Sequence, residues 1–340
     1  MQSTSTRTLY SMTAFLLLLM VSVTACTTGS LSAQSDGRRT LEGEDRPYPG
    51  SLNLPDRNDP WPGPETFRIG NAVSQINYWM TAWMLNDVFK MAGWESEIGD
   101  TDPSELWVPV FGGEWRMEDR HLVQTDDLGW ATSMELIDGT RADQLVTIVM
   151  GGIDIPSAFP SGNYTLTWDG TGELLVEGAE LVYEEPNERV YRYDGTGTMI
   201  LSLIETDPDN YIRNIRIMRP DAVVEETFNR DYLYYLKPFS VIRPLHFFGE
   251  QLSYGPRLEW EDRKPLEYSH WGGALGAPFE LGIDLANESV SDLWLNIPLA
   301  ADDSFVRELA QLTFERLDSN RKLRSEERRV ERVYEDVERT

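Results

Sequence analysis

The chain has 340 residues, of which 57 are acidic and 30 basic, giving a net charge of −27. That balance excludes nucleic acid as a partner, because phosphate recognition needs clustered Lys and Arg, and it argues against peripheral docking on an anionic membrane surface. A hydrophobic content of 41% supplies a core and excludes a disordered chain. Eleven tryptophans can pack in that core or, when exposed, form the flat stacking platforms that sugar-binding proteins use.

Residues 1–25 read as a signal peptide. Arg7 gives a weak positive region, and Ala14–Val23 (AFLLLLMVSV) is an apolar run, shorter than the roughly 20 residues of a spanning helix. Val23-Thr24-Ala25-Cys26 follows and resembles the lipobox of bacterial lipoproteins; Cys26 is the chain's single cysteine. The resemblance implies a mature chain that starts at Cys26 and carries acyl chains such as palmitate, more than one chain giving stable anchoring. Thr27 in place of an aspartate favours the outer membrane. Residues 26–64 are rich in Ser, Gly, Arg, Asp and Pro without apolar periodicity, and read as a flexible tether.

Residues 65–100 read as one strand followed by one helix. Phe67, Ile69 and Val73 are strand-like, and Trp83, Met84, Val88 and Met91 fall at helical spacing before Gly93. Residues 101–221 read as all-β, with short apolar runs about ten residues apart and Asp-Gly pairs at 138–139, 169–170 and 194–195 that suit tight turns. This spacing predicts a β-sandwich, jelly-roll-like, in preference to a barrel. From Asn229 the pattern changes. Asn229 can cap a helix to Lys237, Phe239–Leu245 reads as a buried strand, and Pro278 opens a helix bearing Phe279, Leu281, Ile283 and Leu285. Leu293–Leu299 reads as another strand, and Asp302 or Asp303 caps a helix with Phe305, Val306, Leu309, Leu312 and Leu317 inside. Residues 222–320 therefore predict a partial βα domain, and residues 321–340 a charged tail, solvated or disordered.

Several strings carry a resemblance. They are Asn77-Tyr78-Trp79, Asn86–Lys90 (NDVFK), Asp126–Trp130 (DDLGW), Gly162–Leu166 (GNYTL) and Thr206-Asp207-Pro208. Tyr211–Arg216 (YIRNIR), Phe239–Arg243 (FSVIR), Trp260–Arg263 (WEDR) and Ala300–Asp303 (AADD) follow. In this order they resemble secreted bacterial proteins labelled cellulose-binding, which join a β-sandwich to a glycoside-hydrolase-like (β/α)8 barrel. The fold so implied is α+β and multidomain, with the β-sandwich joined to a partial (β/α) TIM-barrel-like domain opened by the strand-helix pair at Ile69–Ala92. Barrel sites lie at the carboxyl ends of strands. The candidate glycan-contacting residues are then Tyr78, Trp79, His246, Gln251, Trp260, Asp262, Arg263 and Asn296.

The chain departs from that pattern at Arg243–Phe247 and at Leu299, where such proteins carry an aspartate, a tryptophan and a histidine. It also lacks, after Asn320, the strand Y-S-N-E-V-W with its acid/base glutamate. The expectation is therefore a carbohydrate-binding protein, catalytically incomplete as written and looking truncated; an active glycoside hydrolase on a cell-wall, plant or algal polysaccharide is the alternative. Hydrolysis generally needs two carboxylates across the scissile bond. Asp262 beside Trp260 can contact sugar or pair with Arg263, while Asp302 and Asp303 suit capping. The histidines His121, His246 and His270 show no zinc spacing, and neither a nucleophile elbow nor a phosphate loop is present. No cofactor or metal is expected, and the partners expected are a polysaccharide or oligosaccharide and, through the lipid anchor, a membrane.

Overall fold

A computed structural model describes residues 69–94, 106–152, 159–248, 259–273 and 275–318. The signal peptide, the tether, Cys26, Gln251 and the charged tail lie outside the described residues.

The first strand, β1 (Gly70–Val73), is followed by nine antiparallel-paired strands: β2 (Val108–Phe111), β3 (Glu114–Trp115), β4 (Gln144–Met150), β5 (Gly162–Asp169), β6 (Gly172–Glu177), β7 (Glu180–Glu185), β8 (Glu188–Tyr193), β9 (Met199–Thr206) and β10 (Arg213–Met218). The order then becomes α1 (Arg230–Leu236), β11 (Val241–Pro244), α2 (Phe279–Ser289), β12 (Asp292–Leu293) and α3 (Asp303–Arg316). Among the described residues these form three sheets, ordered β3-β2-β4-β9-β6, β10-β5-β8-β7 and β1-β11-β12. The first two are antiparallel and the third parallel.

Alternation explains the four-stranded sheet. Tyr164, Leu166 and Trp168 of β5 and Tyr191 and Tyr193 of β8 face inward. They share one apolar core with Leu174 and Val176 of β6 and Leu201 and Leu203 of β9. The five-stranded sheet is covered on its other face too, where Val108, Val110 and Val146 pack with Trp94, Met117 and Ile200. Arg189 ties the two sheets. From β8 it reaches the carbonyl of Leu174 and Glu173 (2.8 Å) across the core, and Glu184 (2.7 Å) on the neighbouring strand.

The parallel sheet is small, with strands of four, four and two residues, and no barrel forms among the described residues. This corrects the expected TIM-barrel-like domain. Most strand residues are in antiparallel ladders, and closing a barrel needs a continuous tilted ring of strands. The expected helix at Met80–Met91 is also replaced, leaving a 3₁₀ turn at Val88–Met91 only. Its polar groups are committed elsewhere. Asn86 N–H donates to Thr227 O (3.0 Å), Arg219 N–H to Asn86 O (3.0 Å) and Asn229 N–H to Met84 O (2.7 Å). The Asn86 amide also donates to Glu226 O (2.8 Å) and Phe228 O (3.2 Å), while Asp87 accepts from Phe89 N–H and Ile217 N–H. A segment bonded sideways in this manner cannot close i→i−4 bonds.

The later helices follow the chain's own signals. Asn229 caps α1 by accepting from Asp231 N–H (2.7 Å), and Asp302 caps α3 through Phe305 N–H (2.6 Å). Helix α2 is buried nearly all round, the pattern of a helix with core on every side. Gly282 lets the Phe248 ring lie against its backbone, since a Cβ there would overlap that ring. Phe248 stacks on Phe279 (4.4 Å), which meets Phe305 of α3 edge-on (5.6 Å).

Asn86→Ala would strand buried carbonyls of the 223–228 turn. We expect it to lower unfolding free energy by about 2–3 kcal/mol, read as a drop in the urea midpoint at unchanged slope; an unchanged midpoint would show that the turn is held by other means.

Candidate functional site

Parallel pairing sets Gly70 beside Val241, Ala72 beside Arg243 and Ile242 beside Leu293, and Trp294 N–H continues the ladder to Ile242 O at 2.9 Å. Paired residues share a face and alternate along each strand. Val73, Ile242 and Pro244 point to the core and are buried. Ala72, Arg243 and Trp294 then form a row on the opposite face, where Ala72 is exposed and Trp294 is 58% exposed. Parallel sheets ordinarily have both faces covered, so this open face stands out.

The row is organised. The Arg243 guanidinium lies 5.2 Å from the centre of the Trp294 ring, a cation–π distance. Its Nε approaches Asn296 Oδ1 at 3.4 Å, and the Asn296 amide donates back to Pro244 O at 3.3 Å. His246, exposed and at φ +55°, turns the chain just past β11. Asn296 and His246 are thus at the same end of the sheet as Arg243 and Trp294, which the sequence reading had not selected. Their signal was the two-residue spacing Asp292-Trp294-Asn296 beside Val241-Arg243.

The other candidates are engaged in packing. Tyr78 and Trp79, half-buried after β1, lie against the turn that follows β4, with Gly151 N–H donating to Tyr78 O (3.0 Å) and the Tyr78 ring 3.1 Å from where a Gly152 Cβ would sit. Asp262 accepts from Glu259 N–H (2.7 Å) and caps the short turn Trp260–Asp262. Arg263 stacks on Trp260 (4.1 Å) and pairs with Glu280 of α2 (3.1 Å), so its carboxylate partner is Glu280 and not the adjacent Asp262. Trp260 meets Phe305 edge-on at 5.3 Å. These three residues join the 259–263 turn to α2 and α3.

A second polar cluster is deeply placed. Lys90 Nζ donates to Tyr268 O (2.5 Å) and lies 5.0 Å from the Trp271 ring. Lys264 Nζ donates to Gly272 O (2.5 Å) and to His270 Nε2 (3.3 Å), which leaves the His270 Nδ1 proton for Ser269 Oγ at 3.1 Å. Burial, with Lys264 and Lys90 nearby, holds the His270 pKa well below the usual histidine range, so the ring is neutral. Burial raises Asp87 to about 6 against the pull of Ile217 N–H and the Lys90 charge. Burial likewise lowers Lys90 to about 8 against the attraction of Asp87. The cluster pins residues 264–272 to the chain around Lys90. Beside it, Asp126 accepts from Leu128 N–H, Trp130 N–H and the Tyr211 hydroxyl (2.8 Å), and Ser269 N–H reaches Leu128 O at 2.8 Å. The WEDR and DDLGW strings thus lie in segments that fasten the structure.

Among the described residues, no group of three or more His, Cys, Asp or Glu is placed to hold a metal ion. Compared with family models, curated proteins and solved structures, the chain matches none.

A carboxyl whose folded pKa is raised is over-protonated in the native state, so its contribution to stability is full below the unfolded pKa near 4 and lost as pH rises through 6. Asp87→Asn keeps the acceptor oxygen and removes this titration. Relative to the parent protein, we expect the variant's unfolding free energy to rise by about 2 kcal/mol between pH 4 and pH 6.5, measured by urea denaturation at each pH. A constant difference between the two proteins would show that Asp87 is not the group responsible.

Proposed function

We propose that the chain is an exported, lipid-anchored bacterial envelope protein that binds polysaccharide through the open face of its parallel sheet and does not hydrolyse it. The observation that carries this reading is the exposed Trp294 ring, braced by Arg243 and accompanied by Asn296 and the exposed His246. Sugar rings present apolar C–H faces and polar rims, which an aromatic platform edged with amide and basic groups complements. The carboxyl ends of parallel strands are also where open sheets bind ligands. Hydrolysis would need two carboxylates about 5 Å apart, or wider for inversion. The gathered residues are aromatic, basic and amide with a single carboxylate, Asp292, in the same row, which favours binding over cleavage.

The anchoring part of the proposal rests on the string Val23-Thr24-Ala25-Cys26, and Thr27 supports the outer membrane. Expressed in a bacterium fed labelled palmitate, the parent protein is expected to take up label and partition into detergent, and Cys26→Ser to do neither. Equal labelling of the two would end the lipoprotein reading.

For the binding part, affinity electrophoresis through gels containing single polysaccharides is expected to retard the protein on at least one of them. Trp294→Ala should weaken that interaction about tenfold, as the loss of one stacking contact near 1.4 kcal/mol implies. No retardation on any glycan of a broad neutral and acidic panel would overturn the proposal.

A further inference from the structure

The charge on the open face narrows the ligand. The described residues of this acidic chain place most arginines against carboxylates: Arg141 with Glu205, Arg189 with Glu173 and Glu184, Arg230 with Glu226, Arg263 with Glu280 and Arg316 with Asp284. Arg243, like Arg213 and Arg219, pairs with an aromatic ring instead, and of the three rings only that of Trp294 is exposed. The contacts of Arg243 are the Trp294 ring and Asn296, and among the described residues it has no carboxylate partner. A half-buried guanidinium with no carboxylate partner among the described residues, in a chain of net charge −27, is a positive centre held against the overall balance of the chain.

Its geometry selects the anion. Asn296 occupies the Nε side and Trp294 one face of the guanidinium plane, leaving the paired terminal nitrogens as a fork. Two parallel N–H donors match the two oxygens of a planar carboxylate. Ala72, exposed and directly beside Arg243 in register, leaves room for a ring on that side of the row. We propose that the open face recognises a uronic acid unit, its carboxylate on the Arg243 fork and its ring against Trp294. This rests on the glycan-binding reading above and specifies its substrate class. The chain's overall negative field repels a polyanion at long range, and at ionic strength near 0.15 M that field reaches only about 8 Å. A local, partly desolvated ion pair can therefore dominate under those conditions.

The test is affinity electrophoresis and calorimetry in 0.15 M salt with polygalacturonate, the same polymer fully methyl-esterified, a sulfated galactan and a neutral glucan. Binding to polygalacturonate is expected to exceed that to the ester and the glucan by tenfold or more. Arg243→Gln is expected to erase that preference while keeping residual binding through Trp294, with unchanged circular dichroism and thermal midpoint as the check on folding. Should the variant unfold, the ester comparison on the parent protein decides alone. Equal binding to acid and ester, or stronger binding to the sulfated polymer, overturns the uronate assignment while leaving the glycan reading intact. Binding neither to any of the four nor to any other glycan removes both.

Discussion

Met84–Asp87 run irregularly, bent at Asn86, between parts of the protein that are far apart in sequence, and their hydrogen bonds hold those parts together. Backbone groups of Met84 and Asn86 bond to Asn229, Thr227 and Arg219, the Asn86 amide closes the turn at 223–228, and Asp87 takes Ile217 N–H at the end of β10. The last antiparallel strand, the turn after it and the capping residue of α1 are thereby fixed to one short stretch. Buried polar groups must find partners, and here that requirement makes the path of the chain. Because Asn229 is placed by Met84, α1 and the return into β11 start from a defined point.

From that point the parallel sheet is assembled in a small space. Ser240 N–H bonds to Ile69 O and Leu245 N–H to Val73 O, so β11 is laid on β1 over its whole length. Helix α2, Phe248 and Phe279 cover one face. Among the described residues nothing comparable covers the side of Ala72, Arg243 and Trp294, and this asymmetry lets three short strands display a basic-aromatic row. The buried cluster of Lys90, Lys264 and His270 belongs to the same architecture. It fastens residues 264–272 beneath the chain that leads from β1, and its shifted protonation follows from that burial.

Local structure was readable where local chemistry decides it. Asn229 and Asp302 cap the helices expected of them, the alternation Tyr164-Leu166-Trp168 faces the core, and Gly139, Gly170 and Gly195 take positive φ in their Asp-Gly turns. The stripe Trp83-Met84-Val88-Met91 misled because buried apolar residues at helical spacing also arise when an irregular segment is enclosed on several sides. Leu293–Leu299 misled in the other direction, since only Asp292–Leu293 pair as strand and Leu299 is 82% exposed. Asn296 and His246 could be placed at strand ends from sequence, whereas Arg243 and Trp294 could not. Their significance depends on which face of the sheet is left open.

The sequence by itself determined the turns, the caps, the alternating strands and the acidic surface, because each depends on residues within a few positions of one another. The tertiary structure alone decided that the β1 stretch leads into an irregular crossing and not a helix, that Arg263 pairs with Glu280, and that Arg243 finds an aromatic ring and an amide and no carboxylate among the described residues. Those outcomes are competitions for partners between distant segments. A short stretch of chain records which groups need partners, while the assembled fold determines which partners they find.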